Sequence, residues 1–300
     1  MQPSADSNIT SLRGYADVVV YENGYVAVGE DGQLHQLSAQ GSLQKKFSVP
    51  DLSLVTAVSS SKGVMAASTS GRIIHLGSDG TLNRIDALEG ESIACLAWLD
   101  ALIMVGSTDG KLYCGSKDID FQEINLSLKG IITALSANSD RCYGVTNRGE
   151  IISTQNGKTW KVFDFDKEYK GYYKSVQFTA VLVSEKGIAV AGINEEGHPV
   201  FYHSAKGQVW IETPLSYSNH EGAMHSLEAT PNDIYFDSEN QTYYLACTEG
   251  YLMILPSCNQ CHQLIKLPTT SLRAVSGNSQ SILVAGTNAF LQSFTPITFP

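Results

Sequence analysis

The chain of 300 residues contains no apolar run approaching the length, about 18 residues, that a transmembrane helix needs. It is also short of positive charge. Twenty Lys and Arg against thirty Asp and Glu leave a formal net charge of −10. That balance denies it the basic density with which a general nucleic-acid binder displaces counterions from phosphates, and it disfavours an anionic membrane surface. Helical periodicity is not evident anywhere. No glycine-rich nucleotide loop appears, and the sequence spacing assembles no nucleophile, base and orienting group. The opening stretch "MQPSADSNIT" lacks the basic and apolar regions of a signal peptide. The expectation is a cytoplasmic protein if Met1 is native, or a periplasmic or secreted one whose signal has been removed.

What the sequence has is a repeat. "YVAVGEDGQLHQL", "VMAASTSGRIIHL", "LIMVGSTDGKLYCG" and "CYGVTNRGEIIST" each read as a short apolar strand, a polar turn ending in Gly, and a second strand. The turn glycines Gly32, Gly71, Gly110 and Gly149 are spaced 39 residues apart. The pattern continues at Gly197, at Gly250 and near Asn288, making seven units. Further short apolar segments lie before and after each hairpin, so each unit holds four strands. The sequence predicts an all-β fold, a seven-bladed β-propeller of four-stranded antiparallel blades, forming one domain over residues 1–300. Residues 8–13 are expected to supply the outer strand of the last blade and close the ring. In the competing arrangement "PITFP", residues 296–300, supplies it.

The turn in the fourth unit reads "STQNGKTW", residues 153–160. It resembles the Asp-box of the bacterial neuraminidase repeat (BNR), S-x-D-x-G-x-T-W. Ser153, Gly157, Thr159 and Trp160 match, and Gln155 stands where the Asp belongs. A weaker echo, "HSAKGQVW", carries Gly207 and Trp210. The chain looks like a degenerate member of the Asp-box propellers, a group that includes sialidases and photosystem-assembly propellers. The resemblance implies that these six residues are structural, with the Trp packing between strands. Sialidase chemistry itself is not expected. It needs an arginine cluster, and of the six arginines Arg72 and Arg148 fall beside repeated turn glycines.

Six cysteines leave the compartment open. Cys95, Cys142 and Cys247 lie in apolar strand-like runs, where reduced buried thiols are expected. "SCNQCHQ" places Cys258, Cys261 and His262 at the spacing of c-type haem attachment. Aligned on Gly250, however, it falls on the hairpin turn before the last strand of unit six. Free thiols in a turn are the preferred reading, a Cys258–Cys261 disulfide comes next, and a metal site would need two further ligands. No cofactor is expected.

The repeat breaks in units five and six. Insertions at 164–174, 192–199 and 213–231 fall on connections that alternating strand directions send to one face. That face would gather Tyr172, Tyr173, Glu195, Glu196, His198, Tyr217, His220, Glu221 and His225, with Tyr169 beside them. Aromatics mixed with carboxylates and imidazoles suit a protein or glycan partner. "HEGAMH" is not a zinc-protease pair, because His220 and His225 are five apart and no helix is expected there. The leading expectation is a non-catalytic interaction scaffold. One alternative is a glycan-active hydrolase or lyase, requiring two carboxylates converging across the central opening at roughly 5–9 Å. The other is a lectin with exposed aromatic platforms on several blades.

Overall fold

The computed structural model describes residues 14–86, 88–116, 119–218, 221–256 and 262–297. Its strands form seven antiparallel sheets in a ring, a seven-bladed β-propeller. Six sheets have four strands, and among the described residues the seventh has three, Leu272–Gly277, Ile282–Gly286 and Phe290–Phe294. Blade 2 shows the unit: inner strand Leu54–Ser60, then Gly63–Ser68, Ile73–Gly77 and outer strand Leu82–Ile85. The second strand is buried along its whole length because neighbouring blades cover both its faces. The outer strand is mostly exposed, which is why its sequence is polar.

The core lies between blades rather than within them. Seven clusters of buried apolar residues occupy the seven interfaces, from Val26, Leu54 and Ile74 between blades 1 and 2 to Tyr25, Leu37 and Leu283 between blades 1 and 7. The repeated turn glycines all have positive φ, +71° at Gly32 for instance, and in blade 7 Ala289 takes that place at +53°, after Asn288 at +58°.

A second repeat emerges on the inner strands. The pairing of each with its neighbour shifts by one residue, at Ala16, Val55, Ala94, Thr133, Thr179, Asn232 and Arg273. These bulges bend the strand against the channel, and at Thr133, Thr179, Asn232 and Arg273 the bulged side chain reaches the next blade. Thr133 Oγ1 donates to the Phe178 carbonyl at 2.8 Å, and Asn232 Nδ2 donates to the Leu272 carbonyl at 2.6 Å. Each acceptor immediately precedes the next blade's bulge.

Described residues alone join blade 7 to blade 1. Tyr25 Oη donates to the Ser281 carbonyl at 2.7 Å, Ser293 Oγ to the Ala39 carbonyl at 3.2 Å, and Arg273 pairs with Glu30 at 3.3 Å. The expected closing strand, 8–13, lies outside the described residues, as do 298–300 of the competing "PITFP". Ile297, within that stretch, donates its N–H to Tyr244 Oη of blade 6 at 3.0 Å.

The turns between third and outer strands lean on the preceding blade. At Gly157 φ is +69°, and an added Cβ would lie 2.7 Å from Met104 Cε and 2.8 Å from Leu102 Cδ1 of blade 3. Gly157→Ala is therefore expected to cost about 2 kcal/mol, combining left-handed strain with overpacking. Thermal melting would show it as a Tm lowered by several degrees, and an unchanged Tm would contradict this packing.

Candidate functional site

The connection from blade 4 to blade 5 is built on one aromatic side chain. After the outer strand Trp160–Asp164 the chain makes a single helical turn, Phe165–Glu168, capped by the Asp164 carboxylate accepting from Lys167 N. Phe165 is fully buried. Its ring centroid lies 4.8 Å from Tyr169 and Tyr202, 5.4 Å from Phe178 and 5.8 Å from Tyr173. Tyr169 Oη accepts from the backbone N–H of buried Trp210 at 2.7 Å, tying the connection to the outer turn of blade 5. Tyr169 and Tyr173 are thus the support of this loop. Tyr172 alone points away, 85% exposed.

Beside Tyr172, Lys174 pairs with Glu196, which lies 3.5 Å from His198. The Lys174 ammonium holds the Glu196 carboxyl below the usual carboxylate range. Glu195 donates its backbone N–H to the Ser175 carbonyl at 2.8 Å. It also borders a 550 Å³ recess with Lys129, Arg148, Asp166 and Gln177. Tyr172, Glu195, Glu196 and His198 therefore lie on two neighbouring connections of one face, over blades 4 and 5, while Tyr173 packs inward on Phe165.

Tyr217, Glu221 and His225 go elsewhere, which corrects the expectation of one crowded face. The outer strand of blade 5 pairs over only two residues, Ile211–Glu212, before the chain leaves it. Leu215 and Leu227 then sink into the core between blades 5 and 6 and carry a hairpin, Ser216–Ser218 with Met224–Ser226. Tyr217 stacks on His225 across it, centroids 5.8 Å apart. The hairpin rests on the head of blade 6's outer strand, where the Ser216 carbonyl is 3.0 Å from His262 Nδ1. Alternating strand directions put that end opposite the turn holding Glu196. His220, Cys258 and Cys261 lie outside the described residues. Of "CNQCH", His262 is described: it is buried, and its Nε2 has no hydrogen-bond partner.

In the Asp-box-like turn, Thr154 Oγ1 accepts from Gly157 N at 3.0 Å, and Asn156 Oδ1 accepts from Lys158 N and Thr159 N, both at 2.9 Å. Trp160 packs among the residues between blades 3 and 4, its Nε1 donating to the Gly157 carbonyl at 3.2 Å. Ser153 is half-buried on the third strand, paired with Lys161. In blade 5, Ser204 Oγ accepts from Gly207 N at 2.9 Å.

Sequence reasoning missed two carboxylates in the central channel, a cavity of 390 Å³. Asp17 accepts from Val18 N and, in the next blade, from Ala57 N, both at 2.7 Å. Asp233 accepts from Ile234 N and from Val275 N of blade 7, both at 2.8 Å. Burial raises both above the usual carboxylate range, and the charge of Asp17 raises Asp233 further. Both residues keep part of their surface open to the channel, so their dehydration is incomplete. Every oxygen holds a backbone amide, and among the described residues one arginine, Arg273, lines the cavity. Each carboxylate thereby clasps its own blade to the next. The signal was a lone Asp within each apolar inner-strand run, "YADVVV" and "PNDIYF".

No protein-family model and no curated protein matches this chain. Among solved structures it is similar to the WD40 beta propeller domain of Doa1, at 15% identity and a TM-score of 0.71, over 95% of this chain and 93% of that one. It is also similar to the computationally designed Ika8 protein, at 11% identity and a TM-score of 0.64, over 95% and 96%. Likeness at such identities shows the fold alone, a β-propeller.

Proposed function

We propose that this propeller is a non-catalytic interaction scaffold whose protein partner docks over blades 4 and 5. The observation that carries the reading is the mounting of Tyr172. An almost fully exposed aromatic ring lies two residues before Lys174, which pairs with Glu196, on a loop packed upon Phe165. An exposed aromatic ring on an already ordered loop suits an interface anchor, because little backbone entropy is lost on binding. The likeness to a WD40 propeller supports a shape suited to this role. Kinship with the Asp-box propellers is part of the proposal and rests on Ser153, Gly157, Thr159 and Trp160.

Tyr172→Ala is expected to leave Tm unchanged while abolishing capture of a partner that the wild-type chain retains from the source lysate. Quantitative affinity capture followed by mass spectrometry checks it. Equal recovery of the same partner would move the interface to another face. Recovery of glycans, together with loss of glycan-array binding in the variant, would change the partner class.

A further inference from the structure

The turn between the second and third strands of blade 4 inverts the charges of its neighbours. In blades 2 and 3 the residue after the turn glycine is a cation held by carboxylates. Arg72 pairs with Glu89 at 2.6 Å, and Lys111 pairs with Glu91 and Asp109, both at 3.1 Å. One repeat of 39 residues further on, Glu150 stands in place of Lys111, Arg148 in place of Asp109, and Gly130 in place of Glu91. Glu150 is buried, and its oxygens accept from Lys129 N at 2.9 Å and from Gly130 N and Thr146 Oγ1 at 3.1 Å. Arg148 is exposed, and among the described residues no carboxylate pairs with its guanidinium.

Arg148 lines the 550 Å³ recess from blade 4, and Glu195 lines it from blade 5. Both stand on ordered backbone. The Arg148 stem lies on Gly130, where an added Cβ would meet Arg148 Cγ at 2.7 Å and Asn147 Oδ1 at 2.5 Å. Gly130 does not take the left-handed conformation, so this close approach, rather than φ, is what keeps the position bare. Glu195 sits in the turn at 194–198, where Asn194 Oδ1 accepts from Glu196 N and His198 N, both at 3.0 Å. Among the described residues the Glu195 carboxylate has no ion-pair partner, whereas its neighbour Glu196 is held by Lys174. The remaining charges of the recess are engaged. Lys129 pairs with Asp164, and Asp166 Oδ1 accepts from Val176 N at 3.1 Å.

An unpaired cation and an unpaired anion, held by adjacent blades around one recess, complement a ligand that carries both signs. Lys129, Arg148, Ser175, Gln177 and Glu195 are all exposed, so the recess is open surface suited to a polypeptide rather than an enclosed small-molecule site. We infer that it takes a segment of the partner in which an acidic side chain reaches the Arg148 guanidinium and a basic side chain reaches the Glu195 carboxylate. The guanidinium presents two parallel donors to the acid, a geometry that lysine does not offer. The inference rests on the docking surface proposed above, since Ser175 of the recess follows Tyr172 on the same connection. Charge pairs of this kind select the partner and set its register more than they add affinity.

A displayed library of random peptides, selected on the whole chain, tests this. Peptides that bind the wild type and are lost with Tyr172→Ala should carry Asp or Glu together with Lys or Arg. With one such peptide synthesised, Arg148→Glu and Glu195→Lys should each weaken binding at least about tenfold while leaving Tm unchanged. Exchanging the acidic residue of the peptide for Lys should restore binding to Arg148→Glu, a rescue that a merely structural role for Arg148 would not give. Tyr172-dependent peptides without that charge pair, or charge variants that bind as tightly as wild type, would overturn the inference and leave the docking surface standing. A selection that yields no Tyr172-dependent peptide would overturn both.

Discussion

Phe165→Ala is expected to destabilise the protein by about 3–5 kcal/mol, the usual cost of removing a fully buried aromatic ring. Four other aromatic rings lie within 5.8 Å of its centroid, and each would lose packing on one side. Denaturant unfolding reads the change as a lower midpoint, and Phe165→Leu should recover much of it by refilling volume. The effect extends to function, because Tyr169 and Tyr173 hold the loop that presents Tyr172. At temperatures where Phe165→Ala remains folded, its partner binding should be weakened nearly as far as in Tyr172→Ala. A loss of stability below about 1 kcal/mol would mean that the cluster is not the support described.

Asp233→Asn is expected to change the pH dependence of stability. Burial and the Asp17 charge raise the folded-state pKa of Asp233 above its unfolded value. Below the unfolded pKa, near 4, both states are protonated and the group contributes nothing. As pH rises the unfolded chain releases its proton first, so the native state binds more protons and loses stability until its own carboxyl ionises. Between pH 4 and 9 the stability of Asp233→Asn relative to wild type should therefore shift by about 2–4 kcal/mol in the variant's favour, after allowance for partial exposure to the channel. A constant offset will oppose it, since Asn offers one acceptor oxygen where Ile234 N and Val275 N use two. Burial lowers the pKa of His35, His203 and His262, which gives the opposite slope below about pH 6.5. Those histidines are common to both proteins and cancel in the difference. Urea midpoints at five or six pH values suffice, and a flat difference would show that Asp233 titrates normally.

The blade rhythm was legible because one backbone requirement recurs: a left-handed residue at the turn between second and third strands, met by Gly six times and in blade 7 by Ala289, next to Asn288. The face over blades 4 and 5 was legible in part. Tyr172, Glu195, Glu196 and His198 lie on that face because the insertions at 164–174 and 192–199 leave neighbouring blades on the same side, joined by the Lys174–Glu196 pair. Tyr173 misled, since an aromatic residue in a long loop reads equally well as contact or as support, and only Phe165 beneath it decides. The hairpin at 216–226 misled more. Leu215 and Leu227, flanking a polar stretch, were the available sign that the insertion is anchored in the core between blades 5 and 6 and does not rise from one face. Asp17 and Asp233 escaped because a polar residue following an inner-strand bulge has no signature until the bulges are seen to recur.

The most direct test of the scaffold reading is site-specific photo-crosslinking, with a photoreactive phenylalanine analogue at position 172 and, as a control, at position 211 on the exposed outer strand of blade 5. The account predicts one specific protein adduct from position 172, competed away by unlabelled wild-type chain, and none from position 211. A specific adduct from position 211 with none from position 172 would contradict it, and would place the working surface on the rim between blades 5 and 6.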